Sequence, residues 1–313
     1  MLVARTHHCH HHRHCHRHHS RPWPPSSPIT TRKPSAFLPP TKLKPLLRIT
    51  NNVTTPDGSG SNKTPTPASS DQPMPSSAGR IKRLVLSPES RTKLNALPDR
   101  DFYSFPRFVK HVDDGFLATL TDLYRDRVSL GSEVLDLMSS WVSHLPEEVS
   151  YKRVVGHGMN AQELARNPRL DYFFVKDLNR EPRLELASES FDAVLCTVSV
   201  QYLQQPEEVF AEAFRVLRPG GVFIVSFSNR LFYEKAITAW RDGTAYGRVQ
   251  LVVQYFQCIE GFAEPEIIRK LPGSSVARES KSPLDWIFGF LGLLSGSDPF
   301  YAVIAHKNFK TCI

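Results

Sequence analysis

Residues 113–128 place Phe116, Leu117, Leu120, Leu123, Tyr124 and Val128 three and four positions apart, the spacing of one apolar helix face. Asp113 or Asp114 stands where the cap belongs, and Gly131 closes the segment. The period then shortens. Val134 to Met138 reads as a strand, RVVGHGM at 153–159 as a second, Asp171–Val175 as a third and Phe191–Val198 as a fourth. Nearly continuous apolar runs of this length suit parallel strands covered on both faces. Asn160 can cap a helix through Leu164 and Ala165. A further helix opens with Pro206, Glu207 and Glu208, buries Val209, Phe210, Ala213, Phe214 and Leu217, and ends at Pro219-Gly220-Gly221. Val222–Phe227 makes a fifth strand. A helical stretch over 233–256, breaking near Asp242-Gly243, leads to two last strands at 264–271 and 300–306, expected as an antiparallel edge pair. Alternating strands and helices with short connections predict an α/β fold: a Rossmann-like, mostly parallel seven-stranded sheet with helices on both faces.

Two stretches depart from this pattern. Residues 1–80 contain 13 of the 25 prolines, so neither a helix nor a central strand is expected there. They also hold eleven of the 39 Lys and Arg, but only Asp57 and Asp71 of the 31 acids. The net charge of +8 therefore belongs to this leader; the remainder carries 28 basic and 29 acidic residues. No nucleic-acid face is expected on the folded part. A basic, Ser-rich, acid-poor leader without an apolar core matches an organelle transit peptide, and its Ser/Thr/Pro bias favours a chloroplast over a mitochondrion. Nine of the 13 histidines fall between His7 and His19. That tract could bind metal, but its density fits low-complexity leader sequence better than a closed site, and no metal is expected. Cys9, Cys15, Cys196, Cys258 and Cys312 make no disulfide framework.

The lead-in segment 81–112 offers Phe102, Tyr103, Phe105, Phe108 and Val109 as anchors and should pack on the domain at 113–313. The second departure, 273–298, contains the apolar run Leu284–Leu294, too short to cross a bilayer. Gly289 and Gly292 weaken a helix there, so an insertion that packs on the domain or is partly disordered is preferred to a lid or a membrane-surface contact.

Chemistry gathers where the strands end. Asp136 lies near the end of the first strand and is followed by a turn, the place where open α/β sheets receive ligands. The glycines usual in such a turn are replaced by Met138, Ser140 and Val142. In order, VLDLMSS, VVGHGM, KDLN, FDAVLCTVSVQYL and EEVFAEAFRVLRPGGVFIVSFSN resemble a class I methyltransferase that uses S-adenosylmethionine, of the type 11 group. The resemblance spans about 110–307 and is strongest over Phe191–Phe227; LDLMSSWVSHLP is similar to a plant and bacterial subgroup. It implies seven strands, one of them antiparallel, and S-adenosyl-L-methionine as cofactor. It implies that Asp136 holds the methionine part, with Met138, Ser139 and Ser140 against methionine and ribose. The acid that would take the ribose hydroxyls falls at Gly158, leaving the Asn160 amide to bond a hydroxyl and Met159 to pack on adenine. Asp177 with Leu178 would meet the adenine, and Thr197 to Ser199 would face cofactor and substrate. Loop 228–232 and segment 273–298 would shape the acceptor pocket.

Each residue also has a structural alternative: a turn or helix cap for Asp136, a surface turn for Asp177, a helix cap for Asn160, core packing for Cys196, and structural roles for His144 and His157. No catalytic residue is assigned, because a sulfonium methyl is already activated and needs mainly alignment with its acceptor. Two functions follow: methyl transfer to a small-molecule acceptor, or a non-catalytic binding or assembly role for the same fold in an organelle, motivated by the missing glycines and the missing ribose acid.

Overall fold

The computed structural model describes residues 78–271 and 297–308. Contacts divide the chain into 1–68 and 69–313, and every described residue belongs to the second unit. The histidine tract, nearly all of the leader, the Leu284–Leu294 run and most of 273–298 lie outside the described residues.

Seven strands form one sheet in the order β3-β2-β1-β4-β5-β7-β6. Strands β1 (Glu133–Leu137), β2 (Arg153–Gly158), β3 (Tyr172–Val175), β4 (Phe191–Thr197) and β5 (Leu217–Phe227) pair in parallel. β7 (Phe300–His306) runs antiparallel to both β5 and β6 (Glu266–Lys270). The expected antiparallel pair is present, with β7 inside and β6 at the edge. The order reverses between β1 and β4, which opens a crevice beyond their carboxyl ends.

Helices α1 (Asp99–Phe102), α2 (Asp114–Arg127), α3 (Ala161–Arg166), α4 (Pro206–Val216), α5 (Thr238–Arg241) and α6 (Ala245–Gln257) complete the domain. Alternation along β4 shows the two-sided core. Val194 and Cys196 pack with Phe210 and Ala213 of α4 and Val249, Val252 and Phe256 of α6. Ala193 and Leu195 pack with Phe116, Leu120 and Tyr124 of α2. The Asp113 carboxylate accepts the Phe116 N–H at 2.7 Å and fixes the start of α2. Thr244 caps α6 through Gly247, so the expected break near Asp242-Gly243 is real.

Three expectations need correction. β3 is not covered on both faces: Tyr172 is 60% and Val175 50% exposed, because β3 is an edge strand. The LRPGG turn lies inside a longer strand, since β5 begins at Leu217 and its register against β4 shifts before Val222. In the lead-in segment, Phe105 is 79% and Val109 55% exposed, so neither is an anchor. Anchoring comes from Leu86, which is buried, and from Glu207 of α4. That carboxylate accepts the Val85 and Leu86 N–H groups at 2.7 and 3.1 Å and both terminal nitrogens of Arg91. A fully paired buried carboxylate therefore fastens the segment to the domain.

Candidate cofactor and substrate cavity

Beyond the carboxyl ends of β1, β2 and β4 lies a cavity of about 310 Å³, within the usual range for small-ligand sites. All ten residues expected at the site line it: Asp136, Met138, Ser139, Ser140, Met159, Asn160, Asp177, Leu178, Thr197 and Ser199. Met138 (φ 58°), His144 (φ 55°) and Val198 (φ 49°) also line it. These are three of the four described non-glycine residues in the left-handed region. Such backbone costs roughly 1–3 kcal/mol per residue and persists where its surroundings enforce it. The turn after β1 thus keeps the conformation that glycine favours, although the residue is methionine.

His157 enforces the turn. Its Nδ1 accepts the Met138 N–H at 3.1 Å, and its Nε2 bonds the Lys176 carbonyl at 2.9 Å. One acceptor and one donor define the neutral Nε2–H tautomer. Burial pushes its pKa down to about 4, against the Lys176 carbonyl bond, which favours the charged form. The Ser139 N–H adds a bond to the His157 carbonyl at 2.6 Å. The carboxyl ends of β1, β2 and β3 are thereby tied together, and His157 is structural, as expected. His144 is also held neutral by burial, near a pKa of about 4.

Asp136 sits on the cavity floor, 3% exposed. Burial lifts its pKa to about 6, opposed by hydrogen bonds from the Ser139 and Ser143 hydroxyls. The Ser139 bond measures 2.5 Å. A desolvated carboxylate with no cation among these partners is suited to a cationic ligand group. Thr197 bonds the buried Tyr124 hydroxyl of α2 at 2.6 Å. Ser199 bonds the Thr197 carbonyl and lies 3.4 Å from the Cys196 sulfur. Cys196 is buried and its thiol is pushed up to about 12 by burial, so it is a core residue and no nucleophile.

At the opposite end, the Asp177 carboxylate accepts the Asn179 N–H at 3.0 Å. Asn179 then bonds Asp99 and the Tyr202 carbonyl. Asp99 also meets Lys93 at 2.5 Å and Lys235 at 3.0 Å, both nearly or wholly buried. Burial raises the Asp99 carboxyl, but Lys93, Lys235 and Asn179 outweigh that and leave it below its usual value.

Asn160 is committed elsewhere. Its Oδ1 caps α3 through the Gln162 and Glu163 N–H groups, and its Nδ2 donates to the Tyr103 and Ser104 carbonyls. With two donors and two acceptor sites all used, it has nothing left for a ribose hydroxyl. The wall above is aromatic: Tyr103, Tyr202 and Phe232 line the cavity, and the Arg107 guanidinium lies 5.5 Å from the Phe232 ring centre. Sequence reasoning assigned no site role to Asp99, Tyr103, Arg107, Glu163 or Tyr202. Asp99, Tyr103 and Arg107 precede the recognisable motifs without a pattern of their own, and Tyr202 lies within FDAVLCTVSVQYL, where it reads as part of the apolar run. Glu163 hides in Asn-x-x-Glu, which reads as an ordinary helix start.

The sheet order and a cavity at its reversal define an α/β domain built to take a nucleoside-sized ligand. Residues 145–225 match the methyltransferase domain family, in agreement with the resemblance to class I S-adenosylmethionine-dependent methyltransferases read from the sequence. A protein of Mycolicibacterium smegmatis described as a "probable S-adenosylmethionine-dependent methyltransferase" is 36% identical over 86 residues, 26% of this chain. The chain spans about a third (32%) of that relative's length. Among solved structures, an S-adenosylmethionine-dependent methyltransferase of Mesorhizobium loti overlaps with TM-score 0.39 and 18% identity, over 59% of this chain and 96% of that one. Phosphoethanolamine N-methyltransferase 2 of Haemonchus contortus, bound to S-adenosyl-L-methionine, overlaps with TM-score 0.40 and 16% identity, over 61% and 52% of the two chains.

Proposed function

We propose that this protein transfers a methyl group from S-adenosylmethionine to a small-molecule acceptor. The observation that carries the reading is the buried Asp136 carboxylate beneath a left-handed turn, at the sheet's reversal point. Such a carboxylate fits the ammonium of a methionine moiety, and Asp177 with Leu178 fits a base at the other end. Bound there, the cofactor supplies an electrophilic methyl group. The chain's own part is to hold that group, exclude water and align the acceptor. Tyr103, Tyr202 and Phe232 would present an apolar face to the acceptor and keep bulk water from the reacting centre. Of the three histidines that line the cavity, His144 and His157 are held neutral by burial, but His157 has both nitrogens engaged, so it is no free base.

The non-catalytic alternative drew on the missing glycines, and Met138 adopts the glycine-type conformation in their place. Among the described residues, no helix is long and apolar enough to cross a membrane. The full chain, incubated with methyl-labelled S-adenosylmethionine and a cell extract, should place label in the small-molecule fraction. Label confined to protein or nucleic acid would contradict the acceptor class. The leader composition supports delivery to a chloroplast. A fluorescent fusion of residues 1–80 should enter that organelle, and a cytosolic signal would refute the assignment.

A further inference from the structure

Gly158 ends β2, where a dinucleotide-binding sheet would place the acid that reads ribose hydroxyls. No side chain can stand there. A Cβ on Gly158 would lie 2.5 Å from the Ser139 carbonyl oxygen and 3.2 Å from Leu164. The turn that carries Ser139 is itself bonded to the end of β2, so the carbonyl cannot simply withdraw. Asn160, the next polar residue, has every donor and acceptor site engaged.

One turn later stands Glu163, half-buried and lining the cavity. A glutamate three residues after a cap commonly turns back to the cap residue's own N–H. Here one carboxylate oxygen accepts the Arg107 N–H at 2.6 Å, and the other accepts the Ser140 hydroxyl at 2.8 Å. Arg107 and Ser140 both line the same cavity. An ionised carboxylate offers about four acceptor sites, so one remains on each oxygen. Two adjacent free acceptors, fixed by two donors, match a vicinal pair of hydroxyl donors.

We propose that Glu163, oriented by Ser140 and the Arg107 backbone, binds the ribose diol of the cofactor in place of the acid that Gly158 cannot carry. This rests on the cofactor reading above and assigns its ribose contact to a residue outside the expected motif. The complementary feature of the ligand is a cis-diol, and a nucleoside lacking either hydroxyl should lose one of the two bonds.

Calorimetry of the full-length chain with S-adenosylhomocysteine and its 2′-deoxy and 3′-deoxy analogues tests the assignment without any turnover. Wild type should bind the parent ligand about ten- to a hundredfold more tightly than either deoxy analogue. In Glu163→Gln the parent should weaken by a similar factor, and the penalty for removing a hydroxyl should largely vanish. Ser140→Ala, which keeps the carboxylate, should preserve that penalty. If Glu163→Gln fails to fold, Glu163→Asp provides the same comparison, because a withdrawn carboxylate should shrink the penalty. Parent binding with an unchanged deoxy penalty in the Glu163 variants would overturn this inference and leave the cofactor reading intact. No binding of S-adenosylhomocysteine by wild type would overturn both.

Discussion

At the scale of single residues, Asp136 and His157 pull the pH dependence of stability in opposite directions. The Asp136 carboxyl titrates near 6 in the folded chain, above its usual 3.8. Its stabilising share is complete below the unfolded value and is lost as pH rises through about 6, a loss of roughly 3 kcal/mol. Asp136→Asn should therefore raise the melting temperature of the ligand-free protein above neutral pH and flatten its decline between about pH 4 and 6. The same variant should bind S-adenosylmethionine more weakly, since it removes the charge opposite the ammonium. A variant that is more stable and also binds equally well would remove Asp136 from the site. The His157 value is lowered from 6.5 to about 4, so the sign is reversed: stability is present above the unfolded value and fades as pH falls toward 4. His157→Ala leaves the Met138 N–H and the Lys176 carbonyl unpaired. It should cost about 3 kcal/mol at neutral pH and lessen the acid sensitivity between about pH 6 and 4, both measurable by denaturant unfolding. The place of Asp136 at the cavity was legible from its position at the end of an apolar strand. The left-handed Met138 was not, because nothing in MSS signals a conformation that His157, nineteen residues away, enforces.

At the scale of elements, the lead-in segment belongs to the site as much as the strands do. Asp99 and Tyr103 line the cavity, and the segment's hold on the domain passes through Glu207. Glu207→Ala strands Arg91 and two backbone N–H groups, and should cost about 3–5 kcal/mol in urea unfolding. The same variant should loosen the cavity, read as weaker S-adenosylhomocysteine binding. Wild-type affinity in that variant would mean that the segment merely covers the domain. Gly158→Ala tests the neighbouring element, since the added Cβ meets the Ser139 carbonyl at 2.5 Å. It should destabilise by about 1–3 kcal/mol and displace the turn after β1. Helix α2 was legible in the sequence because Asp113 and a regular apolar face agree, and all of that face is buried. The lead-in segment packs on the domain as expected, but two of its anchors were misread because Phe105 and Val109 are apolar yet exposed, while a glutamate in a distant helix makes the anchoring bonds. Apolarity marks what can be buried, whereas a buried ion pair between residues 91 and 207 leaves no periodic trace.

At the scale of the whole molecule, the sheet order places every predicted contact on one crevice. Asp136, Asp177 and Thr197 are far apart in sequence and share a cavity because β1, β3 and β4 end on the same side of a parallel sheet. That much follows from strand–helix alternation, since parallel strands deliver all their carboxyl ends to one edge. What the alternation could not supply is the wall facing that edge, built by residues 99–112, which carry no motif, together with 230–232 of the loop expected from the resemblance. In the proposed function this crevice holds S-adenosylmethionine through Asp136. The most direct measurement is calorimetric titration of the full chain with S-adenosylmethionine at about pH 8, where Asp136 is ionised, and again near pH 5. One-to-one binding that is tighter at the higher pH, with protons released near the lower one, is the predicted result. No heat of binding at millimolar ligand, or an affinity indifferent to Asp136→Asn, would contradict it.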